Sequence, residues 1–175
     1  MKKNTYTIPL ALVFCLFFLW AISSNLLPTM IRQLMKTCEL NTFEASFTET
    51  AYWLAYFIFP IPIAMFMKRY SYKAGIIFGL VLAAIGGLLF FPAAILKEYW
   101  AYLCIFFIIA TGMCFLETAA NPYVTVLGAP KTAPRRLNLA QSFNGLGAFI
   151  AAMFLSKLIP VSYTHLRAHE TSQDL

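Results

Sequence analysis

Apolar residues in this chain do not alternate with polar ones; they gather into five long runs, separated by short segments that hold most of the charge. The runs lie at Ile8–Ile31, Phe47–Met67, Ala74–Ile95, Tyr99–Leu127 and Leu137–Ile159. Each is long enough for a helix to cross the ~30 Å hydrocarbon core of a bilayer, which takes about 20 residues. Lipid offers no partner for backbone N–H and C=O groups, and these runs lack the two-residue alternation of barrel strands, so the pattern predicts membrane-spanning helices. Pro60 and Pro62 each remove a helix hydrogen bond inside the second run and predict a bend there.

Composition agrees with this class. Of the 175 residues 61% are apolar, 17% aromatic and 11% charged, against about 25% charged in an ordinary soluble domain. The net charge of +6 raises nucleic acid as a partner, but the basic residues sit in short clusters between the apolar runs instead of on one polar face, which fits a membrane surface and not a nucleic acid. Lys2 and Lys3 before the first run, with Ala21 and Ser23 placed like a cleavage site, have the layout of a signal peptide. The run continues to Ile31 and four more follow, so it reads as a span.

The placement of positive charge predicts orientation. Lys2, Lys3, Lys68, Arg69, Lys73, Lys131, Arg135 and Arg136 fall on one side, and Arg32, Lys36 and Lys97 on the other, where Glu39, Glu44, Glu49 and Glu98 dilute them. Eight against three predicts a multi-pass protein of the cell membrane with its N-terminus in the cytoplasm. Cys15, Cys104 and Cys114 lie inside spans, Cys38 stands in the first outer loop, and no CxxC occurs; all read as small fillers.

Small and aromatic residues read as packing. Gly75, Gly79 and Ala83 at four-residue spacing, then Gly86 and Gly87, make a stripe that lets a neighbouring helix approach. Tyr52, Trp53 and Tyr56 near the outer end of the second run read as interface anchors.

Polar groups inside the runs carry the candidate chemistry. Ser23, Ser24, Asn25 and Thr29 cluster beside Pro28, whose ring deprives the Ser24 carbonyl of its helical donor; this is either a hydroxyl-binding patch, or Ser and Thr bonding back to their own helix with Asn25 joining two helices. Glu117 is the one ionisable side chain deep in any run, with Asn121 a turn further on and Pro122 next to it. An acid at mid-membrane costs ~2.5 to 3.5 kcal/mol on insertion scales, and intramembrane acids are functional by default, so Glu117 is the candidate proton carrier. Asn138, Gln141, Ser142 and Gly145 recur at i, i+3, i+4 and i+7, with Asn144 beside them. A stripe of neutral donors and acceptors suits a polyhydroxylated ligand better than an ion or a phosphate, with helix-to-helix bonding as its alternative.

Five stretches carry a specific resemblance: Phe18-Leu19-Trp20-Ala21, Phe59-Pro60-Ile61-Pro62, Ser71-Tyr72-Lys73-Ala74-Gly75-Ile76-Ile77, Leu116-Glu117-Thr118-Ala119-Ala120-Asn121-Pro122 and Leu137-Asn138-Leu139-Ala140-Gln141-Ser142-Phe143-Asn144. Together and in order, from about residue 10 to about residue 159, they resemble the fucose-proton symporter family of the major facilitator superfamily. Lys68-Arg69 to Lys73 also resembles the basic loop between the superfamily's second and third helices. The resemblance implies an all-α transporter whose two six-helix halves rock around a central sugar site. Five helices of the first half would be present in residues 1–160, and a single chain would work as a monomer once full length. It implies Glu117 as the proton-coupling acid, Gln141 as a polar cavity residue and Asn25 as an amide near the sugar; Asn121, Asn138 and Asn144 join the sugar-binding candidates from their own places in the polar constellations. Fucose-type members carry a second acid on the first helix, three residues beyond the amide, where this chain has Pro28. Fucose, glucose, galactose or another neutral hexose therefore stay equally open.

Beyond Pro160 the chain turns polar, and residues 161–175 resemble a translated sequencing-adapter tail outside the native protein. His165, His169 and Glu170 there form no closed metal-ligand set. No cofactor or metal is expected. The rival classes are a membrane enzyme, against which stands the lack of a nucleophile-base or multi-carboxylate cluster, and a non-transporting scaffold or sensor, which has no use for a buried acid.

Overall fold

The computed structural model describes residues 6–37, 41–96 and 98–158. The expectations placed on Lys2, Lys3, Cys38, Glu39, Lys97 and the 161–175 tail lie outside them. The described chain forms six helices and a 3-10 turn at Pro130–Thr132, and no strand occurs among the described residues. The helices are α1 (Thr7–Thr37), α2 (Thr42–Ile58), α3 (Pro60–Arg69), α4 (Tyr72–Leu96), α5 (Tyr99–Val126) and α6 (Ala133–Leu158).

The predicted second span is the pair α2 and α3, bent by 41°. The bend falls at Phe59, directly before Pro60, where the ring starts a new helix because it has no N–H to continue the old one. The pair starts at residue 42, five residues before the predicted limit of Phe47, because Asn41 and Glu44 form a capping box that satisfies two orphan donors in the polar segment. Likewise α1 runs to Thr37, past the predicted Ile31, since a helix leaving the bilayer has no reason to stop at its edge.

Length and hydropathy make spans of Thr7–Arg32, Tyr72–Leu96 and Tyr99–Val126, with the bent pair as a fourth. Helix α6 has the length, at 26 residues, but its polar stripe lowers its hydropathy below theirs. It packs along α1, where Phe14 and Phe143 stack at 5.3 Å between ring centroids. A Cβ on Gly147 would lie 2.5 Å from the Phe18 carbonyl oxygen, so only glycine permits that approach.

Helix α5 is the axis of the bundle, in contact with all five other helices. Its closest neighbour is α4, because Gly79 and Gly112 face each other: a Cβ on Gly112 would sit 2.7 Å from the Ala83 backbone nitrogen, and one on Gly79 2.8 Å from the Gly112 carbonyl oxygen. Gly87, expected in the same stripe, has nothing within 4 Å of a built Cβ and lies off the contact. At the start of both helices the Tyr99 hydroxyl donates to the Glu44 carbonyl at 3.0 Å and ties α5 to α2 over the fully buried Thr48.

Two apolar clusters fill the bundle ends. One joins Leu27, Ile31 and Leu34 of α1 to Tyr52 and Ala55 of α2 and to Tyr102 through Ala110 of α5. The other joins Val13 and Phe17 of α1 to Ala120 and Val124 of α5 and Ala140 of α6. The level between them, near Trp20 and Glu117, is where polar groups collect.

Candidate functional site

Helices α1, α5 and α6 enclose a small cavity at that middle level, lined by Leu16, Phe17, Trp20, Leu116, Glu117, Ala120, Gln141 and Asn144. Its volume of about 20 Å³ has room for roughly one water. The Glu117 carboxyl is half-buried there, and no hydrogen bond or ion pair to it occurs among the described residues. A larger groove of about 490 Å³ lies between α1 and α4, but its wall of Leu12, Val13, Leu16, Leu19 and Leu80 gives a polar ligand almost nothing to bond.

An amide chain runs from the turn that bears Glu117 to α6. The Asn121 amide donates to the Glu117 backbone oxygen at 3.1 Å and accepts from Gln141 Nε2 at 3.2 Å. Asn144 in turn donates to Gln141 Oε1 at 3.4 Å. Asn138 and Gln141 are exposed on the open face of the bundle, and the Ser142 hydroxyl bonds back to the Asn138 carbonyl at 3.0 Å.

In the first-helix cluster the serines bond back to their own helix, as one of the two sequence readings has it, and Asn25 does the same instead of bridging to a second helix. Ser23, Ser24 and Asn25 donate to Leu19, Trp20 and Ala21 carbonyls one turn back in their own helix, at 3.0, 2.9 and 2.7 Å. Asn25 is exposed and does not join the cavity; helix rise puts it about 7.5 Å further along α1 than Trp20. The structure thus brings Glu117, Asn121, Gln141 and Asn144 together and leaves Asn25 and Asn138 at the margin.

Three residues of this region were assigned no chemistry or the wrong place by the sequence. Trp20 lines the cavity, and its indole nitrogen is buried without a hydrogen-bond partner. Tyr52 and Tyr56 are not interface anchors: Tyr52 is 5% exposed and the Tyr56 hydroxyl is buried, while only Trp53, 57% exposed, faces outward. The signal was present in the i, i+4, i+8 spacing of Thr48, Tyr52 and Tyr56, which puts all three on one helix face.

Below the cavity Arg136, at the start of α6, closes the end of α5. Its Nε donates to Val124 O at 3.1 Å, and its terminal nitrogens donate to Thr125 O at 2.9 Å, Ala129 O at 3.0 Å and the Thr132 hydroxyl. Val124 O and Thr125 O are carbonyls that the C-terminus of α5 leaves without helical donors. The connection turns at Gly128, where φ of +118° requires glycine.

Long apolar helices around a polar, acid-bearing mid-level cavity define part of a polytopic helical membrane protein. The profile of the Major Facilitator Superfamily matches residues 10–166, and the chain belongs to that superfamily. It is 48% identical to the L-fucose-proton symporter of Escherichia coli (strain K12) over 94% of this chain and 37% of that protein. It is 41% identical to the glucose/galactose transporter of Brucella abortus biovar 1 (strain 9-941) over 90% of this chain and 38% of that one. Its fold superposes on the crystal structure of the superfamily transporter FucP in the outward conformation with a TM-score of 0.80, at 45% identity, over 95% of this chain and 41% of that chain. The chain thus spans less than half the length of these relatives.

Proposed function

We propose that this chain is the first part of a proton-coupled symporter that brings a neutral hexose or deoxyhexose of the fucose, glucose or galactose type across the cell membrane. The observation that carries the proposal is the unpaired Glu117 carboxyl sharing one cavity with Gln141 and Asn144. An acid without a cation partner in a mostly apolar bundle changes its charge when its hydration changes. It takes a proton as sugar binds from outside and gives it up once the cavity opens inward. Gln141 and Asn144 supply the cavity's neutral donors and acceptors for sugar hydroxyls. Asn121 holds Gln141 in place, and Asn138 and Asn25 meet the ligand on the open face.

The cavity is too small for a hexose by itself, which supports a site completed across the open face by a second half, as alternating access requires. The N-terminus and the Lys68–Lys73 and Lys131–Arg136 loops lie in the cytoplasm in this reading, and one chain works as a monomer. Residues 161–175 take no part. Deleting them should leave membrane insertion unchanged, and a loss of insertion would contradict that.

The test is a chimera in which residues 10–158 replace the matching segment of the Escherichia coli symporter. In de-energised vesicles, adding fucose, glucose or galactose should drive proton entry, seen as alkalinisation of the medium, for at least one of the three. Sugar entry without proton movement would overturn the proposal.

A further inference from the structure

A proline inside a helix removes one hydrogen bond and leaves the carbonyl four residues back without its helical donor. Helix α5 continues through Pro122 to Val126, so the Thr118 carbonyl, one residue from Glu117, has no backbone N–H to accept from. The turn before Pro122 is therefore the easiest place to bend α5. What holds the helix differs on the two sides of it. Above, Gly79 and Gly112 bring α5 and α4 into backbone contact, a Cβ on Gly75 would stand 3.3 Å from the Ala119 Cβ, and the Tyr99 hydroxyl bonds to the Glu44 carbonyl of α2. Below, in the foot formed by residues 122–126, the Arg136 guanidinium of α6 donates to the Val124 and Thr125 carbonyls at 3.1 and 2.9 Å and to the Ala129 carbonyl of the connection at 3.0 Å. It lies against Gly128, where a built Cβ would be 3.2 Å from its Nη1. The Thr125 hydroxyl donates to Pro122 O at 2.7 Å and closes the foot on itself. Toward α4 the foot has the tilted ring pair of Tyr123 with Tyr72, 6.3 Å between centroids, a contact without a hydrogen bond.

The apolar layer of Val13, Phe17, Ala120, Val124, Leu127 and Ala140 begins directly at the Glu117 cavity, since Phe17 and Ala120 line both. In the proposed topology this layer separates the acid from the cytoplasmic end. We propose that α5 hinges at Pro122: the foot and the start of α6, clasped together by Arg136, swing as one body away from α1, while α5 above the proline stays on α4 and α2, and the swing parts the layer beneath Glu117. The inference rests on the reading of Glu117 as the proton carrier, and it adds a bend within one half to the rocking of two halves. Helix α6 pivots where Gly147 meets the Phe18 carbonyl of α1. The Phe14–Phe143 stack precedes that contact along both helices and opens with the layer. The Asn121–Gln141 bond of 3.2 Å lies at the level of the joint, where a swing displaces least. Arg136 is what makes the foot travel with α6 instead of unravelling.

The full-length chimera in lipid, with its native cysteines replaced, tests this by double electron–electron resonance between nitroxide labels. One pair, Lys68→Cys with Lys131→Cys, links the end of α3 to the turn after the foot, and both sites are exposed. A second, Phe43→Cys with Trp100→Cys, links the exposed starts of α2 and α5 and should keep one distance throughout. A third pair spans the two halves and reports the switch to the inward-open state when sugar is added at acidic pH. With that switch the Lys68–Lys131 pair should gain a second distance population. Pro122→Ala, which returns a donor to the Thr118 carbonyl, should remove that population and slow sugar exchange while sugar still binds from outside. Arg136→Ala should replace the two populations by one broad distribution. A Lys68–Lys131 distance that stays single while the halves switch, or a second population that persists in Pro122→Ala, would overturn the hinge. Proton-driven accumulation that survives in Glu117→Gln would instead overturn the reading of Glu117 and leave the distance result standing.

Discussion

Helices α4 and α5 are close in length, 25 and 28 residues, and both are apolar enough to cross a membrane, yet 17% of the span window is buried in the first and 61% in the second. In water such a difference would be written in hydrophobicity. In lipid it cannot be, because a leucine gains nothing by leaving hydrocarbon tails for a protein interior. What separates the two helices is the placement of small and polar residues. In α4 Gly75, Gly79 and Gly86 meet α5, and Ile77, Leu88, Phe91 and Ile95 point away from the bundle. In α5 Thr111 and Cys114 are buried and Glu117 is half-buried among partners on every side. Backbone approach fixes the first helix, and buried polar side chains mark the second.

The sharpest way to break this contrast is to push the two helices apart. Gly112→Ala places a methyl carbon where the Ala83 backbone nitrogen stands at 2.7 Å, and backbone cannot step aside. Overpacking of this kind should cost about 3 kcal/mol, read as a lower unfolding midpoint in denaturant-detergent titration. An unchanged midpoint would show that the α4–α5 contact is looser than described.

A smaller effect is expected at the foot of α5. Arg136→Ala removes the donors to Val124, Thr125 and Ala129 carbonyls and should cost about 2 kcal/mol, the scale of hydrogen bonds from a charged group. Hydrogen exchange should rise across residues 124–132 while the α4–α5 contact stays protected. Smaller again, Asn121→Ala breaks the bond to Gln141, worth about 0.6 kcal/mol on the membrane average. It should loosen α6 from α5 and weaken sugar binding in the chimera more than it lowers stability.

The least effect should come from Gly87→Ala, where nothing lies within 4 Å of the added carbon. Helix propensity then favours alanine, and stability should rise by about 0.5 kcal/mol. A loss comparable to that of Gly112→Ala would mean that an unseen helix covers this face.

The runs, their helical nature and the bend at Pro60 were legible in the sequence because membrane energetics constrain backbone groups so strongly that length and hydropathy suffice. Glu117, Asn121 and Gln141 were legible for the same reason, since a polar group in hydrocarbon is conspicuous. Depth was less so. Asn25 and Glu117 are each polar and each inside a run, but only the structure shows that the Asn25 amide is spent on Ala21 and stands above the cavity. Tyrosine is ambiguous by chemistry, being equally at home at the lipid interface and in a polar core. Tyr52 and Tyr56 were therefore misplaced at the interface although their spacing showed a common face. Arg136 was read only as a topogenic charge, because pairing with helix-end carbonyls twelve and eleven residues back depends on a turn the hydropathy pattern does not encode.

We propose that Glu117 converts proton movement into sugar accumulation. The direct measurement is paired uptake by the chimera and its Glu117→Gln variant in proteoliposomes, once with an imposed proton gradient and once as sugar exchange at equal pH. Glutamine keeps the size and hydrogen-bonding shape of the protonated acid but cannot titrate. Accumulation against a gradient should disappear in the variant while exchange between the two sides persists. A Glu117→Gln protein that still concentrates sugar as the parent does would contradict it.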